Sequence, residues 1–312
     1  MTLPLVILAG GLSTRYGRLK QLDPLGPSGE SIMDYNVFDA ARAGFDEVIF
    51  VVRREIEQDI RDHVAAIVGD AVPMEFVHQG LEDVPDGYGA PPDRARPWGT
   101  GHAVLSASQL IHGPFAVCNA DDLYGPGAFR MMHEHLSAQP VPTEAALVAY
   151  PLNQTLSGSG GVARGVCVLS RDGMLSRVSE VQQIRRTDHR ITGIYTNGSR
   201  LELSGGEIVS MNIWGFTEPV VEHLQRQFTR FLDHWGADTT QEFLLSTAVN
   251  DQVQVESTRV FVLHAPDEWF GVTHAEDGDR ARRTLQSRVD EGAYPKSLAE
   301  GFAAMSRHGT EH

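Results

Sequence analysis

Residues Leu8–Leu22 read LAGGLSTRYGRLKQL and place three glycines and three basic side chains within fifteen residues. An apolar run of strand length, residues 3–8, precedes this stretch, and the turn-forming sequence PLGPSG, residues 24–29, follows it. The stretch is therefore predicted to be a loop at the carboxyl end of a first β-strand. In open α/β sheets, that end of the strands is where ligands bind.

The composition of this loop favours an anionic ligand over a plain turn. Gly10 and Gly11 lack a Cβ, so the backbone can turn sharply, approach a ligand closely and point N–H groups at an anion. Arg15, Arg18 and Lys20 add positive charge to a chain whose formal net charge is −15. The spacing is neither that of a Walker loop nor that of the Rossmann fingerprint, so it predicts phosphate binding by a different loop.

Lysine is rare in this chain, since only Lys20 and Lys296 occur among 26 basic residues. A lysine in the opening loop indicates that a compact ammonium is needed there instead of a forked guanidinium. The alternative, a solvated lysine of a surface loop, stays open at this point.

The composition also excludes several classes of protein. The chain has 312 residues, of which 41% are hydrophobic, enough for the core of a large α/β domain. The negative net charge argues against a nucleic-acid partner, and no apolar run reaches membrane-spanning length. The start of the chain lacks the basic segment of a signal peptide, and Cys118 and Cys167 form no disulfide framework. We therefore expect a cytoplasmic protein with neither a nucleic-acid nor a membrane partner.

The first half of the chain alternates strand-like runs with helical patterns. The predicted strands are 3–9, 47–52, 74–78, 114–118 and 145–150, and the predicted helices are 31–44, 55–69 and 100–113. This alternation predicts an α/β fold with a mostly parallel open sheet and helices on both faces. Residues 80–98 form a long loop rich in Pro, Gly and Asp, of the kind that is usually functional.

The second half is less regular. The predicted strands are 164–169, 207–216 and 259–264, and the predicted helices are 218–235, 239–249, 278–291 and 296–306. No repeat or low-complexity linker interrupts the sequence, so we expect one domain with a C-terminal elaboration.

Two adjacent carboxylates, Asp121 and Asp122, follow the apolar strand that ends at Asn119. Carboxylates at a strand end suit Mg²⁺, which takes oxygen ligands and keeps substrate phosphates as partners. The alternative is an aspartate cap on a helix near residues 126–136. The phosphate-type loop in the same sheet favours the metal site.

A third segment, PWGTGHAVLSA (97–107), places Gly99, Thr100 and Gly101 where a helix should begin. The amide groups of a helix N-terminus attract anions, although Gly-Thr-Gly is also an ordinary helix start.

Together the three segments resemble the sugar-1-phosphate nucleotidyltransferases. The likeness rests on LAGG-x-STR-x-x-x-x-KQL-x-P, on the G-T-G-H-A helix start and on the apolar strand that ends in Ala-Asp, and it is good over roughly the first 125 residues. The resemblance implies a Rossmann-like nucleotide-diphospho-sugar transferase fold, Mg²⁺ as cofactor, and condensation of a nucleoside triphosphate with a sugar 1-phosphate. It divides the chain into an α/β domain, 1–265, with a nucleotide-binding half, 1–125, and an acceptor half, 126–265, followed by a helical extension, 266–312.

The resemblance also assigns roles in the first half. Arg15 and Lys20 would act as the catalytic cations on the triphosphate, and Asp121 would bind Mg²⁺. The residues implied to bind the nucleotide are Leu8, Gly10, Gly11, Gln79, Gly99 and Thr100.

The second half departs from the family in its sugar-phosphate contacts. The family usually has a Glu-Lys pair, whereas Glu180 is followed here by Val181. Glu180 would keep the sugar contact, with Arg177 or Arg185 as stand-ins for the lysine. Asn212 and Asp122 are the further predicted sugar-binding residues.

A second departure concerns the metal. The family usually has an aspartate two residues after a late tryptophan, and Gly271 stands at that position. Asp277 is the nearest replacement as a second metal ligand, followed by Glu276; a plain exposed loop carboxylate is an equal alternative.

Three alternatives remain open from the sequence. The loop is also close to that of molybdenum-cofactor guanylyltransferases and of cytidylyltransferases acting on alcohol phosphates. These enzymes are typically shorter, so the long second half favours a sugar acceptor. A non-catalytic nucleotide or sugar sensor would account for the missing second-half residues, but not for the presence of both Lys20 and Asp121. A structural scaffold would leave the carboxylate pair and the lone lysine unexplained. The resembled family often forms homo-oligomers, so a homo-oligomer is a further expectation for this chain.

Overall fold

The computed structural model describes residues 2–11, 14–15, 18–138, 141–158, 160–272 and 277–309. The first half contains strands β1 (Pro4–Leu8), β2 (Thr14–Arg15), β3 (Arg18–Leu19), β4 (Glu47–Val52), β5 (Met74–His78), β6 (Phe115–Asn119) and β7 (Asp122–Leu123), and helices α1 (Ile32–Ala43), α2 (Glu57–Val68), α3 (Thr100–Ser106) and α4 (Pro126–Ser137). The second half contains strands β8 (Glu144–Pro151), β9 (Val162–Leu169), β10 (Leu175–Thr187), β11 (Arg190–Tyr195), β12 (Arg200–Leu203), β13 (Ile208–Phe216), β14 (Arg259–His264) and β15 (Phe270–Gly271), and helices α5 (Val220–Trp235), α6 (Leu245–Gln254), α7 (Asp277–Asp290) and α8 (Leu298–Gly309).

The central sheet has eleven strands, and its first half is parallel. β1 lies between β4 and β6, and β5 lies outside β4, all in parallel register. β13 then pairs antiparallel with β6, and the sheet continues through β9, β10, β11 and β12. β8 pairs with β13, and β14 runs parallel to β8. The predicted fold class is confirmed, and the less regular half is the antiparallel one.

Side chains that alternate along the strands build a separate core on each face of the sheet. In β1, Leu5 and Ile7 belong to one core, and Val6 belongs to the other. The first core contains residues of α1, α2, α4, α7 and α8, whereas the second contains residues of α3, α5 and α6. Helices therefore cover both faces, as predicted.

Local signals explain where α1 begins and ends. Ser31 and Asp34 form a capping box, in which the Ser31 main-chain N–H donates to the Asp34 carboxylate at 2.7 Å. The helix ends at Gly44, whose φ of 106° lies in the left-handed region that favours glycine.

Among the described residues, the strands missing from the sequence prediction are β10, β11 and β12, together with the two-residue strands β2, β3, β7 and β15. The buried side chains of β10 are Leu175, Val178, Val181 and Ile184, which are three residues apart. Register shifts in the pairing with β9 put Leu175 and Val178 in one core and Val181 and Ile184 in the other, so the alternation of period two is lost.

Two predicted helices differ in length from the observed ones. The helix predicted at 100–113 ends at Ser106 and is followed by a single 3₁₀ turn at Ser108–Leu110. The helix predicted at 239–249 begins at Leu245, because the chain before it bonds to other segments: Phe243 N–H donates to the Trp98 carbonyl at 2.6 Å. Within the described ranges, no helix has both the length and the apolar character needed to cross a membrane.

The C-terminal helices pack against the first core, beside α1 and α2. A buried contact joins the two ends of the chain: the Tyr294 hydroxyl donates to Asp39 Oδ2 at 2.7 Å, and Arg42 Nη2 donates to Asp39 Oδ1 at 2.6 Å. Burial raises the pKa of Asp39 to about 6, although both donors oppose the shift. The predicted boundary between 1–265 and 266–312, and that between 1–125 and 126–265, stay predictions.

We expect Tyr294→Phe to destabilise the protein by about 1–3 kcal/mol at pH 7, because it leaves one oxygen of a buried carboxylate without its donor. Losing the donor raises the pKa of Asp39 further, and a carboxylate with a raised folded-state pKa loses stability as the pH rises through that pKa. The destabilisation should therefore be smaller at pH 4 than at pH 7 in urea unfolding. Tyr88→Phe is the control, since the Tyr88 hydroxyl donates to Asp233 at the surface. An equal loss at both pH values would contradict this account.

Candidate active site

Parallel strands bring the predicted first-half residues together at one edge of the sheet. Pairing extends past the strand ends, because Ala9 N–H donates to the Val51 carbonyl at 2.8 Å and Ala120 N–H donates to the Leu8 carbonyl at 3.2 Å. Gly10 and Asp121, the next residues in the chain, therefore follow two neighbouring strand ends.

A cavity of about 550 Å³ opens at this edge, and we call it the first cavity. Its lining includes Leu8, Gly10, Gly11, Gln79, Gly99, Thr100, Asn119 and Asp121. All six predicted nucleotide-binding residues and the predicted metal ligand Asp121 are therefore brought together, and a cavity of this size accommodates a nucleotide-sized ligand.

Close packing explains the two glycines of the loop. A Cβ at Gly10 would lie 3.2 Å from Gln79 Oε1, and one at Gly11 would lie 3.1 Å from Gln21 Nε2. Gln21 and Arg53 hold the same loop through its carbonyls, because Gln21 Nε2 donates to Gly11 at 3.1 Å and Arg53 Nε donates to Gly10 at 3.1 Å. Neither supporting residue was predicted from the sequence.

Gly99 and Gly101 are required by contacts with the chain before α6. Gly99 has a φ of 111°, and a Cβ there would lie 2.6 Å from the Phe243 carbonyl oxygen. The Gly101 N–H donates to that same oxygen at 2.9 Å, so it is already engaged. Thr100 Oγ1 accepts a hydrogen bond from Leu245 N–H at 2.9 Å. The Gly-Thr-Gly segment thus shapes the cavity wall, and one of the amides predicted to attract an anion, that of Gly101, is already bound.

Lys20 and Asp121 form an ion pair at the rim of the first cavity. Lys20 lies in a single 3₁₀ turn, Lys20–Leu22, and its Nζ donates to the Asp121 carboxylate. The side chains are 13% and 35% exposed, respectively. The pair therefore presents a cation for phosphate oxygens and a carboxylate for a divalent cation at one place. The main chain of Arg15 belongs to β2, but its side chain lies outside the described part, so its role stays a prediction.

Asp122 has a different hydrogen-bond partner from Asp121. Its carboxylate accepts a hydrogen bond from Asn119 Nδ2 at 2.8 Å, and burial, followed by the charge of Asp121, raises its pKa to about 7. Neither aspartate caps α4, since that helix begins after Gly125 and its Gly127 N–H is bound by Asp267 at 2.6 Å. The helix-cap interpretation is therefore wrong.

A second cavity, of about 190 Å³, adjoins the first one. Thr100 and Asn119 line both cavities, so the two share a wall. The second cavity brings together the three predicted sugar-binding residues, Asp122, Glu180 and Asn212.

Glu180 and Asn212 are held by neighbouring side chains. Ser246 Oγ donates to Glu180 Oε1 at 2.5 Å, and burial raises the pKa of Glu180. Asn212 adopts a φ of 63°, which asparagine tolerates better than most residues, and its Nδ2 donates to Asn119 Oδ1 at 2.7 Å. Asn119, which links Asp122 and Asn212, received no role in the sequence prediction.

The remaining second-half candidates lie elsewhere. Asp277 is the first residue of α7, accepts a hydrogen bond from Ser157 Oγ at 3.3 Å, and lines a small cleft beside Trp269. It lines neither of the two cavities, and Glu276 lies outside the described residues. Arg177 and Arg185 are exposed on β10, and the cation in the second cavity is Arg164 of β9.

Packing explains why position 271 is a glycine. It lies opposite Asp122 in the short β7–β15 pair, and a Cβ at Gly271 would be 2.5 Å from Asp122 Oδ1. The Asp122 carboxylate thus occupies the space into which a side chain at position 271 would project.

The site fits a magnesium ion that is held partly by the protein and partly by the phosphates of the substrate. In the part of the chain that is described, no group of three or more His, Cys, Asp or Glu side chains could hold a metal ion without other ligands. Mg²⁺ nevertheless binds through one or two carboxylates when substrate phosphates and water complete its coordination. Asp121, partly exposed in the first cavity, fits that requirement.

Comparisons with known proteins agree with this geometry. Residues 5–121 match the model of the MobA-like NTP transferase domain. Among solved structures, the inositol-1-phosphate CTP transferase from T. maritima is similar over 93% of this chain and 97% of that chain, with 15% identity and a TM-score of 0.61. A UDP-glucose pyrophosphorylase complexed with UDP-glucose is similar over 92% of this chain and 100% of that chain, with 16% identity and a TM-score of 0.59.

No curated protein sequence matches the chain significantly. The resemblance to nucleotidyltransferases, enzymes that transfer phosphorus-containing groups, is nevertheless confirmed: residues 5–121 match a family of NTP transferase domains, and the two solved structures share the fold of 92–93% of the chain.

Proposed function

We propose that the protein condenses a nucleoside triphosphate with a sugar 1-phosphate to give a nucleoside-diphosphate sugar and pyrophosphate. The observation that carries this proposal is the pair of adjoining cavities. The first is lined by the glycine loop and Asp121, the second by Asp122, Glu180 and Asn212. Two substrates bound in these adjoining cavities would meet where the cavities adjoin, beside Thr100 and Asn119. Holding two reactants close together in the right orientation supplies a large part of the rate.

The residues of the first cavity account for nucleotide binding. The backbone of Gly10 and Gly11 lies against the base and ribose, and Gln79 is fixed beside Gly10 by donating Nε2 to the Gly99 carbonyl at 2.9 Å. Lys20 meets the phosphates at the rim. Its positive charge offsets the negative charge that develops on the phosphate oxygens.

The reaction itself needs no covalent intermediate. An oxygen of the acceptor phosphate attacks the α-phosphorus in line, a new P–O bond forms, and the bond to the β-phosphate oxygen breaks, so that pyrophosphate leaves with the bonding pair. Asp121 is the residue that would hold Mg²⁺, which supplies charge neutralisation between the phosphates. Lys20 provides a fixed positive charge at the rim while negative charge moves from the α-phosphate to the leaving pyrophosphate.

One observation favours a second acceptor class. The similar T. maritima protein is an inositol-1-phosphate CTP transferase, and the likeness spans 97% of that chain. Chain length, which favoured a sugar acceptor in the sequence, therefore does not separate sugars from cyclic alcohol phosphates. Glu180 and Asn212 suit the hydroxyls of either ring.

The experiment is a screen for pyrophosphate release. The four common nucleoside triphosphates are paired with a panel of sugar 1-phosphates and with inositol 1-phosphate, with and without excess chelator. We expect one pairing to release pyrophosphate, only when the acceptor and Mg²⁺ are both present. Release that needs no acceptor, or undiminished activity in excess chelator, would overturn the proposal. Binding of a triphosphate without release in any pairing would favour the sensor.

A further inference from the structure

We propose that Arg164 binds the phosphate group of the acceptor. This inference rests on the proposed function, since it places the acceptor in the second cavity. An acceptor that carries a phosphate brings negative charge into a cavity whose lining already contains Asp122 and Glu180. Arg164 is the basic side chain among the described residues that line it, and it lies between this cavity and the small cleft beside Trp269, which it also lines. Anion binding at this place therefore depends on the guanidinium of Arg164.

Arg164 is buried and still has spare hydrogen-bonding capacity. The residue is 8% exposed. Its Nη1 donates to the Ala163 carbonyl at 2.7 Å and its Nη2 donates to the Thr155 carbonyl, while Nε has no partner among the described residues. A guanidinium has five N–H donors, and a buried donor without an acceptor costs free energy. A bound phosphate would supply acceptor oxygens for the donors that remain.

Within the described part of the chain, no close ion pair neutralises this cation. Asp122, Glu180 and Asp277 are near enough to act on its charge, but no salt bridge to Arg164 occurs within the described residues. The carboxylates thus keep the guanidinium charged at a distance and leave its donors to a ligand.

The surroundings fix the orientation of Arg164. Its guanidinium carbon lies 4.8 Å from the centroid of the Trp269 ring, which stacks against one face. Its neighbour Gly165 pairs with Glu180 across the β9–β10 ladder, where a Cβ would lie 3.4 Å from Glu180 Oε1 and 3.2 Å from Ser210 Cβ. Glu180 and Asn212 line the same cavity as Arg164, so a ring with its phosphate at Arg164 would present hydroxyls to them.

Kinetics of two variants test the proposal. Arg164→Gln removes the charge, whereas Arg164→Lys keeps it and loses the fork. For Arg164→Gln we expect the KM of the acceptor to rise on the order of 10–100-fold, the range expected for one charged hydrogen bond, with the KM of the triphosphate within about 2-fold of wild type. The acceptor KM of Arg164→Lys should fall between those of wild type and Arg164→Gln. Arg177→Gln is the matched control, because Arg177 is exposed on β10 and does not line the cavity. An unchanged acceptor KM, or an equal rise of both constants, would overturn the proposal.

A measurement on the wild-type protein stands even if both variants fail to fold. Hydrogen exchange is followed with glucose 1-phosphate, or with glucose as the uncharged probe. We expect the phosphate ester alone to protect Val162–Leu169, and equal protection by both probes, or none in this strand, would contradict the assignment. If the wild type releases no pyrophosphate while the phosphate ester still protects this strand, the proposed reaction fails and the anion subsite stands.

Discussion

Asp121→Asn is expected to lower turnover by about 10²–10³-fold or more while leaving the fold intact. Asparagine keeps the size and the hydrogen-bonding capacity of the side chain and removes the charge that would hold Mg²⁺ against the phosphates. Folding should survive for two reasons. The ion pair with Lys20 is partly exposed and contributes little to stability, and the charge of Asp121 adds to the raised pKa of Asp122, so its removal relieves repulsion.

The decisive measurement is a Mg²⁺ titration of pyrophosphate release by wild type and variant, with the melting temperature as a check on folding. Asp277→Asn is the matched control, because Asp277 lines a different cleft and its carboxylate accepts from Ser157. We expect Asp277→Asn to keep the wild-type Mg²⁺ requirement. An active Asp121→Asn with an unchanged Mg²⁺ requirement would leave Asp121 as no more than the partner of Lys20. A strong loss in Asp277→Asn would instead restore it as the second metal ligand.

The first half of the fold could be predicted because its signals are local. β4 and β5 have the predicted bounds, and the alternation of strands with helices implies parallel pairing. Parallel strands place their carboxyl ends at one edge, so the convergence of residues 42 to 113 positions apart in the chain can be predicted without knowledge of side-chain contacts. Leu8, Gln79 and Asp121 are brought to one cavity for this reason.

The second cavity depends on pairing register, which the sequence does not reveal. The bulges of β10 hide its strand period, and only the β9–β10 register places Arg164 opposite Val181 and Gly165 opposite Glu180. A search along the chain near Glu180 therefore pointed to Arg177 and Arg185, which are exposed. The cation that lines the cavity comes from the neighbouring strand.

Gly271 shows the same limit at the metal position. The sequence shows only that an aspartate is absent there and suggests a substitute nearby in the chain. The structure shows that the carboxylate of Asp122, about 150 positions earlier, fills the space beside Gly271. A contact between residues on two paired strands leaves no signal in the spacing of residues along the chain.

Lys20→Arg is expected to lower turnover on the order of 10²-fold, although the charge is kept. The Lys20 side chain is 13% exposed, lies on one 3₁₀ turn and directs its Nζ at Asp121. A guanidinium is larger and planar, and it binds a carboxylate through two parallel N–H groups. Arginine would therefore hold the Asp121 carboxylate more firmly, which keeps that carboxylate from a divalent cation, and it would fit poorly as a point charge between phosphates.

Lys296→Arg is the matched control for this effect, because Lys296 is the other lysine of the chain and is exposed. The Lys296 main-chain carbonyl accepts a hydrogen bond from Ser28 Oγ at 2.8 Å, a contact that does not depend on the side chain. We expect wild-type kinetics in Lys296→Arg, and a loss in kcat that exceeds the change in the triphosphate KM in Lys20→Arg, since a contact that strengthens in the transition state acts on kcat. Wild-type kinetics in Lys20→Arg would mean that Lys20 is a solvated loop residue, and the rarity of lysine in this chain would then have no catalytic reason.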